Sequence, residues 1–187
     1  MANIEDSDAN FAILNKEKIE SSLYATKQFL KHSKLYDYYK DGSRSFIPLF
    51  FIAYHLFHKK LESDKIKSYF NNFETGNSDY IPMKNWLYHS LLNGVFRSRG
   101  AGWVSYKTGI RKLLSVLKDF KNEEFPVKDL FDVYIQHPLN FELNYSKESL
   151  NNLDSSFVYY LMYDRKESLR INDVDHIMPK FILQSYN

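Results

Sequence analysis

The sequence predicts an all-α fold, an irregular helical bundle with a short extended C-terminal segment. Three observations point that way. The chain has 187 residues, of which 44% are hydrophobic and 17% aromatic, enough for one ordinary domain with a real core. Only 6 Gly and 5 Pro are spread over that length, too few for the frequent tight turns of a sandwich or barrel. Apolar residues recur at helical spacing nearly everywhere as far as about residue 164, interrupted by short polar loops.

The first predicted helix begins near Asn15. Ile19, Leu23 and Leu30 fall on one face, widened by Tyr24, Phe29 and Leu35, with Lys16, Glu17, Glu20 and Lys27 left to water. Asp41-Gly42-Ser43 ends it. Ser45 is placed to cap the next helix, and Pro48 sits in its first turn, where a missing N–H costs nothing. Residues 46–57 are apolar nearly all round and predict a helix at the centre of the bundle, since the run is far short of the roughly 20 residues a membrane span requires. A lesser helix over 64–73 leads to a loop containing Gly76. Asp79 can cap the following helix, Pro82 fits its first turn, and Trp86, Leu87, Leu91, Leu92, Val95 and Phe96 form a broad apolar face.

That helix stops in a basic corner of Arg97, Arg99, Gly100 and Gly102, after which Ile110, Leu113, Leu114, Leu117 and Phe120 restart a helical stripe. Pro126 opens a short helix through Val133, and residues 139–145 alternate weakly as a single extended segment. Ser146 is placed to cap a last helix carrying Leu150, Leu153, Phe157 and Leu161. Beyond Lys166 the helical period is lost, and residues 169–177 read as extended before Pro179 interrupts them. The domain division expected is therefore 1–165, helical, and 166–187, the opening of a second unit left unfinished.

Composition excludes several functional classes. With no Cys there is neither a disulfide framework nor a thiolate zinc site, which suits a reducing cytoplasm. The polar, acidic start is unlike a secretory signal. Lys and Arg number 25 against 23 Asp and Glu, so only a local patch can speak for a nucleic-acid partner. One such patch is Arg97, Arg99, Lys107 and Arg111, with Lys118 further along the same stripe. It can track a DNA backbone, or it can be the solvated face opposite Leu113. His55 and His58 lie one helical turn apart, but no carboxylate accompanies them in sequence, and they read as the polar edge of a buried helix. The abundant Tyr and Phe sit at helical spacing, which marks core packing ahead of base stacking.

The stretch Asp173-Val174-Asp175-His176-Ile177-Met178-Pro179 carries the clearest chemistry. Metal-assisted phosphodiester cleavage needs a carboxylate to hold a hard divalent cation and an imidazole to take a proton from the attacking water. Neighbours on a regular strand point to opposite faces, so the backbone must leave strand geometry at His176 for both to serve one phosphate. The bland reading is an exposed loop pair with no ligand.

Asp-Val-Asp-His-Ile-x-Pro resembles the first half of the HNH motif, in a version similar to that of RNA-guided CRISPR nucleases. Residues 45–59 with their Pro and Tyr-His, the Trp86-Leu87 helix running into Asn93-Gly94-Val95-Phe96, and the helix before Asp175-His176 together resemble the GmrSD type of modification-dependent (type IV) restriction enzymes over most of the chain. That family places a ParB-like nucleotide-hydrolysing domain first, a helical region next and an HNH nuclease last. The resemblance implies Asp175 as a metal ligand, His176 as the general base, Mg2+ or Mn2+ as the cofactor of the complete protein, and DNA as its partner. The family's Asp-Gly-Gln-Gln-Arg signature is not in these residues, so nucleotide hydrolysis is not implied. An HNH site also needs a downstream Asn and a helix-borne His or Asn. The 187 residues alone are therefore expected not to cut DNA. The alternative expectation is a non-catalytic helical protein- or DNA-binding module in which Asp175-His176 is incidental.

Overall fold

The computed structural model describes residues 6–40, 44–71, 78–96, 107–121, 123–136, 141–146 and 152–162. They form an all-α bundle: α1 (Asp6–Leu14), α2 (Lys16–His32), α3 (Tyr36–Lys40), α4 (Ile47–Phe57), α5 (Ser63–Lys67), α6 (Tyr80–Leu92), α7 (Lys107–Asp119), α8 (Val127–Ile135) and α9 (Ser155–Met162). The described residues include no strand, and 141–146 run as irregular chain instead of the expected extended segment. The Gly76 loop, the Asp41-Gly42-Ser43 stop, the Arg97–Gly102 corner and the extended segment after Lys166 lie outside the described residues.

Helix α2 packs on α4 and α5, α6 on α8 and α9, and α7 bridges α4 and α8. Trp86 of α6 is the hub of the core. It is fully buried, with Phe51, Phe96 and Phe125 edge-on to its ring at 6.1, 5.7 and 5.5 Å. Such edge-to-face aromatic contacts add to the burial itself and fix ring orientation, so an aromatic-rich core is well specified.

Helix α2 departs from the expected face. Leu23 and Tyr24 are exposed, while Ser21, Ser22, Ala25 and Thr26 are buried with Phe29 and Leu30. The small residues let α4 and α5 approach closely, and their hydroxyls cost little because Ser22 Oγ donates to Lys18 O (2.8 Å) and Thr26 Oγ1 to Ser22 O (2.9 Å). The helix also ends earlier than expected. Lys34 adopts φ 59°, Leu35 N donates to Leu30 O (2.9 Å) and Lys34 N to Lys31 O (3.1 Å), a Schellman stop with Lys in the position glycine usually fills.

Gly94 (φ 61°) closes α6 in the same way, with Val95 N bonded to Ser90 O and Gly94 N to Leu91 O, both at 3.0 Å. Here the left-handed conformation explains the glycine of Asn93-Gly94-Val95-Phe96, and burial in the core explains the Val95 and Phe96 beside it. The start of α8 agrees with expectation, just after Pro126, and Pro48 lies in the first turn of α4, but Phe46 and not Ser45 holds the N-cap position there and makes no side-chain cap. Helix α4 is nevertheless not enclosed on all sides. Phe51, Ile52 and Leu56 are buried, but Phe50 is 64% exposed.

Candidate functional site

The most developed polar cluster among the described residues is centred on Asp79, which has no exposed surface. The residue stands at the N-cap position of α6 but makes no side-chain cap, contrary to expectation. Its carboxylate turns inward instead. Oδ1 accepts from Phe125 N at 2.6 Å, and Oδ2 accepts from Lys59 Nζ at 2.7 Å and Tyr69 OH at 2.5 Å. His55 Nε2 stands 3.6 Å from Oδ2, beyond hydrogen-bond length. His55 therefore does meet a carboxylate, one 24 positions along the chain.

Electrostatics follow from this enclosure. Burial by itself raises the Asp79 carboxyl, but the polar contacts of His55, Lys59 and Tyr69 outweigh it and hold the group well below the usual carboxylate range. Burial, and next the bond to Asp79, push the Tyr69 hydroxyl far above its ordinary value. Lys59 also donates to Glu123 O at 2.5 Å, and its own carbonyl accepts from Lys18 Nζ at 3.0 Å. One carboxylate thus ties α4, the turn after α5, the start of α6 and the segment before α8. Both its oxygens are engaged and sealed from solvent, an arrangement suited to holding the fold rather than to receiving a substrate.

A second cluster pins irregular chain to the end of α6. Asn93 Nδ2 donates to Glu142 O (3.1 Å) while Glu142 N donates to Asn93 Oδ1 (2.9 Å), so the side-chain amide pairs with backbone as another strand would. Tyr145 OH lies 2.7 Å from His89 Nδ1, the two rings are stacked at 5.6 Å, and burial pushes the Tyr145 hydroxyl up to about 12. Asn93→Ala is expected to free residues 141–146, raising their amide hydrogen exchange at least about tenfold while the exchange of α2 stays unchanged.

The third cluster seats α9. Asp154, not Ser146, caps it: Phe157 N donates to Asp154 Oδ1 at 2.9 Å, and Asp154 N donates to Leu92 O at 2.6 Å. Arg44 Nη1 donates to Ser156 Oγ (3.0 Å), with its guanidinium 4.6 Å above Tyr38. Phe157 is fully buried against Tyr38 and Tyr88, and Tyr160 OH reaches Lys34 O at 2.7 Å. The helix that precedes Asp175-His176 in sequence is therefore fastened to α3 and α6 through both its cap and its aromatic face.

Of the residues singled out by sequence, Asp175, His176, Arg97 and Arg99 lie outside the described residues. Lys107 opens α7, and Arg111 is exposed on that helix, as are Lys112 and Lys118, with Leu113 and Leu117 buried on the opposite side. No group of three or more His, Asp or Glu suited to a metal ion occurs among the described residues, nor is any described helix long and apolar enough to cross a membrane. Sequence reasoning missed the Asp79 cluster. The signal available was His55 itself, a polar ring in the midst of Ile-Pro-Leu-Phe-Phe-Ile-Ala-Tyr-His-Leu-Phe that required a buried partner. Comparisons with protein-family models, curated proteins and solved structures found no match to this chain.

Proposed function

We propose that this chain is the helical region, followed by the first half of the nuclease motif, of a bacterial HNH-type DNA endonuclease from a modification-dependent restriction or phage-defence system acting in the cytoplasm. The observation that carries the reading is Asp-Val-Asp-His-Ile-x-Pro coming soon after a helix anchored to the bundle. In this reading residues 1–165 are the platform and 166–187 open the nuclease unit. His176 takes the proton from the attacking water and Asp175 is the first protein ligand of Mg2+ or Mn2+. When bound, that ion neutralises charge developing on the phosphate. The all-α bundle supports the reading because α9, the last described helix before the motif in sequence, is capped by Asp154 and packed against α3 and α6. By the same resemblance, the remaining ligands of such a site are an Asn and a helix-borne His or Asn downstream of Asp175-His176.

Two outcomes test it. The gene should encode an Asn and a helix-borne His or Asn within about 30 residues after Asn187, and protein carrying that extension should nick supercoiled plasmid only with Mg2+ or Mn2+ present. A second reading, a non-catalytic helical module, is favoured by the engaged, sealed state of the Asp79 cluster; an extended protein that never nicks DNA would select it.

Arg97, Arg99, Lys107 and Arg111 are proposed to contact the DNA backbone. Neutralising Arg97, Arg99 and Lys107 together should weaken DNA binding and flatten the slope of log affinity against log salt by about 0.9 for each phosphate no longer neutralised. Unchanged affinity and slope would return these cations to solvent.

A further inference from the structure

The exposed flank of α4 opens onto an apolar groove of about 500 Å3, walled by α1, α2, α4 and α7. Phe11, Leu23, Phe50, Tyr54, Ile110 and Leu114 line it, and no carboxylate is among its lining residues. Three of these are well exposed: Phe11 at 53%, Leu23 at 47% and Phe50 at 64%. Ile13 and Leu14, also on α1, are more exposed still. Exposed apolar surface gathered in this way is a mark of an interaction site.

The end of the groove where α4 stops is cationic. Phe57 and His58 line it there. The Lys18 ammonium lies 5.5 Å over the Phe57 ring and is held by its bond to Lys59 O (3.0 Å). The bond from Lys59, next to His58, to Glu123 O (2.5 Å) brings the end of α7 and the chain just after it, with Lys118 and Lys121, to this same end. Burial, followed by the positive charges of Lys121 and Lys18, holds the His58 imidazole below its ordinary range. Lys118 and Lys121 are exposed.

We infer that this groove docks an amphipathic helix of a partner protein, apolar on one face and acidic along the edge that meets Lys18, Lys118 and Lys121. The lysines select acidic side chains by charge complementarity. The open shape and the apolar flanks select a helix over a slender acyl chain, because a body of roughly 10–12 Å diameter covers Phe11, Leu23 and Phe50 together. The inference is independent of the nuclease reading, since it concerns neither Asp175 nor His176.

The test uses the full chain and synthetic helical peptides of about 16 residues with leucines at helical spacing: one with a glutamate flank, a twin with a lysine flank, and a scrambled isomer, each followed by fluorescence anisotropy at low salt. The glutamate peptide should bind saturably and about tenfold more tightly than its twin, as roughly three exposed ion pairs allow. That gap should narrow at high salt. Phe50→Asp and, separately, Leu23→Glu should abolish binding with helical circular dichroism unchanged, and Lys118→Glu with Lys121→Glu should turn the preference toward the lysine twin. No binding of the glutamate peptide, equal binding of all three peptides, a preference unmoved by the lysine reversals, or uptake of oleate in its place would overturn the inference.

Discussion

Asp79→Ala is expected to cost about 3–5 kcal/mol of folding stability, the range for removing one partner of a buried charge pair. Against the roughly 5–15 kcal/mol that holds a typical domain together, the variant should unfold early in urea or fail to fold at 37 °C. The loss is large because of the groups that stay behind. The Lys59 ammonium, the Tyr69 hydroxyl and the Phe125 N–H all point at one carboxylate, and a methyl group takes that acceptor from all three at once. Asp79→Asn keeps the shape but removes the charge, so its stability should fall between that of the parent and that of Asp79→Ala. The exposed Lys16–Glu20 pair, 3.9 Å apart, provides the contrast, since Lys16→Ala should cost less than about 0.5 kcal/mol. An Asp79→Ala variant within about 1 kcal/mol of the parent would show that the cluster is not the tie described.

The same carboxylate gives the protein an acid limit of defined sign. The folded Asp79 carboxyl lies below its ordinary value of 3.8, so its contribution to stability is complete above that pH and drains away as the pH falls toward the lower folded value. Urea midpoints measured downward from about pH 5 should decline more steeply for the parent than for Asp79→Asn. Parallel curves would contradict the assignment.

Much of the bundle is legible in the sequence because its signals are local. Pro48 and Pro126 mark helix starts through their fixed backbone angle, and the stripes of α6 and α7 bury Trp86, Leu87, Leu91, Leu113 and Leu117 as their spacing indicates, while Ile110 and Leu114 of the α7 stripe are only half-buried. The buried face of α2 is not legible, because hydropathy cannot rank Ser21, Ser22 and Thr26 as interior. Their burial depends on intrahelical hydroxyl bonds and on how closely two other helices approach. Asp79 misleads for a related reason. Its position before α6 is that of a cap, and only the tertiary fold brings Lys59, Tyr69 and Phe125 close enough to turn the carboxylate inward. The open flank of α4 is hidden likewise, since an apolar helix gives no sign of which side its neighbours leave uncovered.

His176→Ala carries the second large expectation, and its consequence is chemical where that of Asp79→Ala is structural. A positioned general base contributes typically about 10²–10⁴-fold to rate, so the variant should nick DNA slower by that factor. Asp175→Ala should fail differently. If Asp175 is the metal ligand proposed above, the divalent concentration needed for half-maximal nicking should rise, because Mg2+ is held by few carboxylates and each one counts. The unfolding midpoint of each variant is the control and is expected to equal the parent's.

The most direct measurement is the initial rate of plasmid nicking in Mg2+ or Mn2+ by the protein extended through the sequence its gene encodes after Asn187, compared with its His176→Ala variant under identical conditions. A general base at His176 predicts metal-dependent nicking by the parent and a loss of about 10²-fold or more in the variant, with thermal unfolding unchanged. Equal nicking by both proteins, or none by the parent, would contradict it.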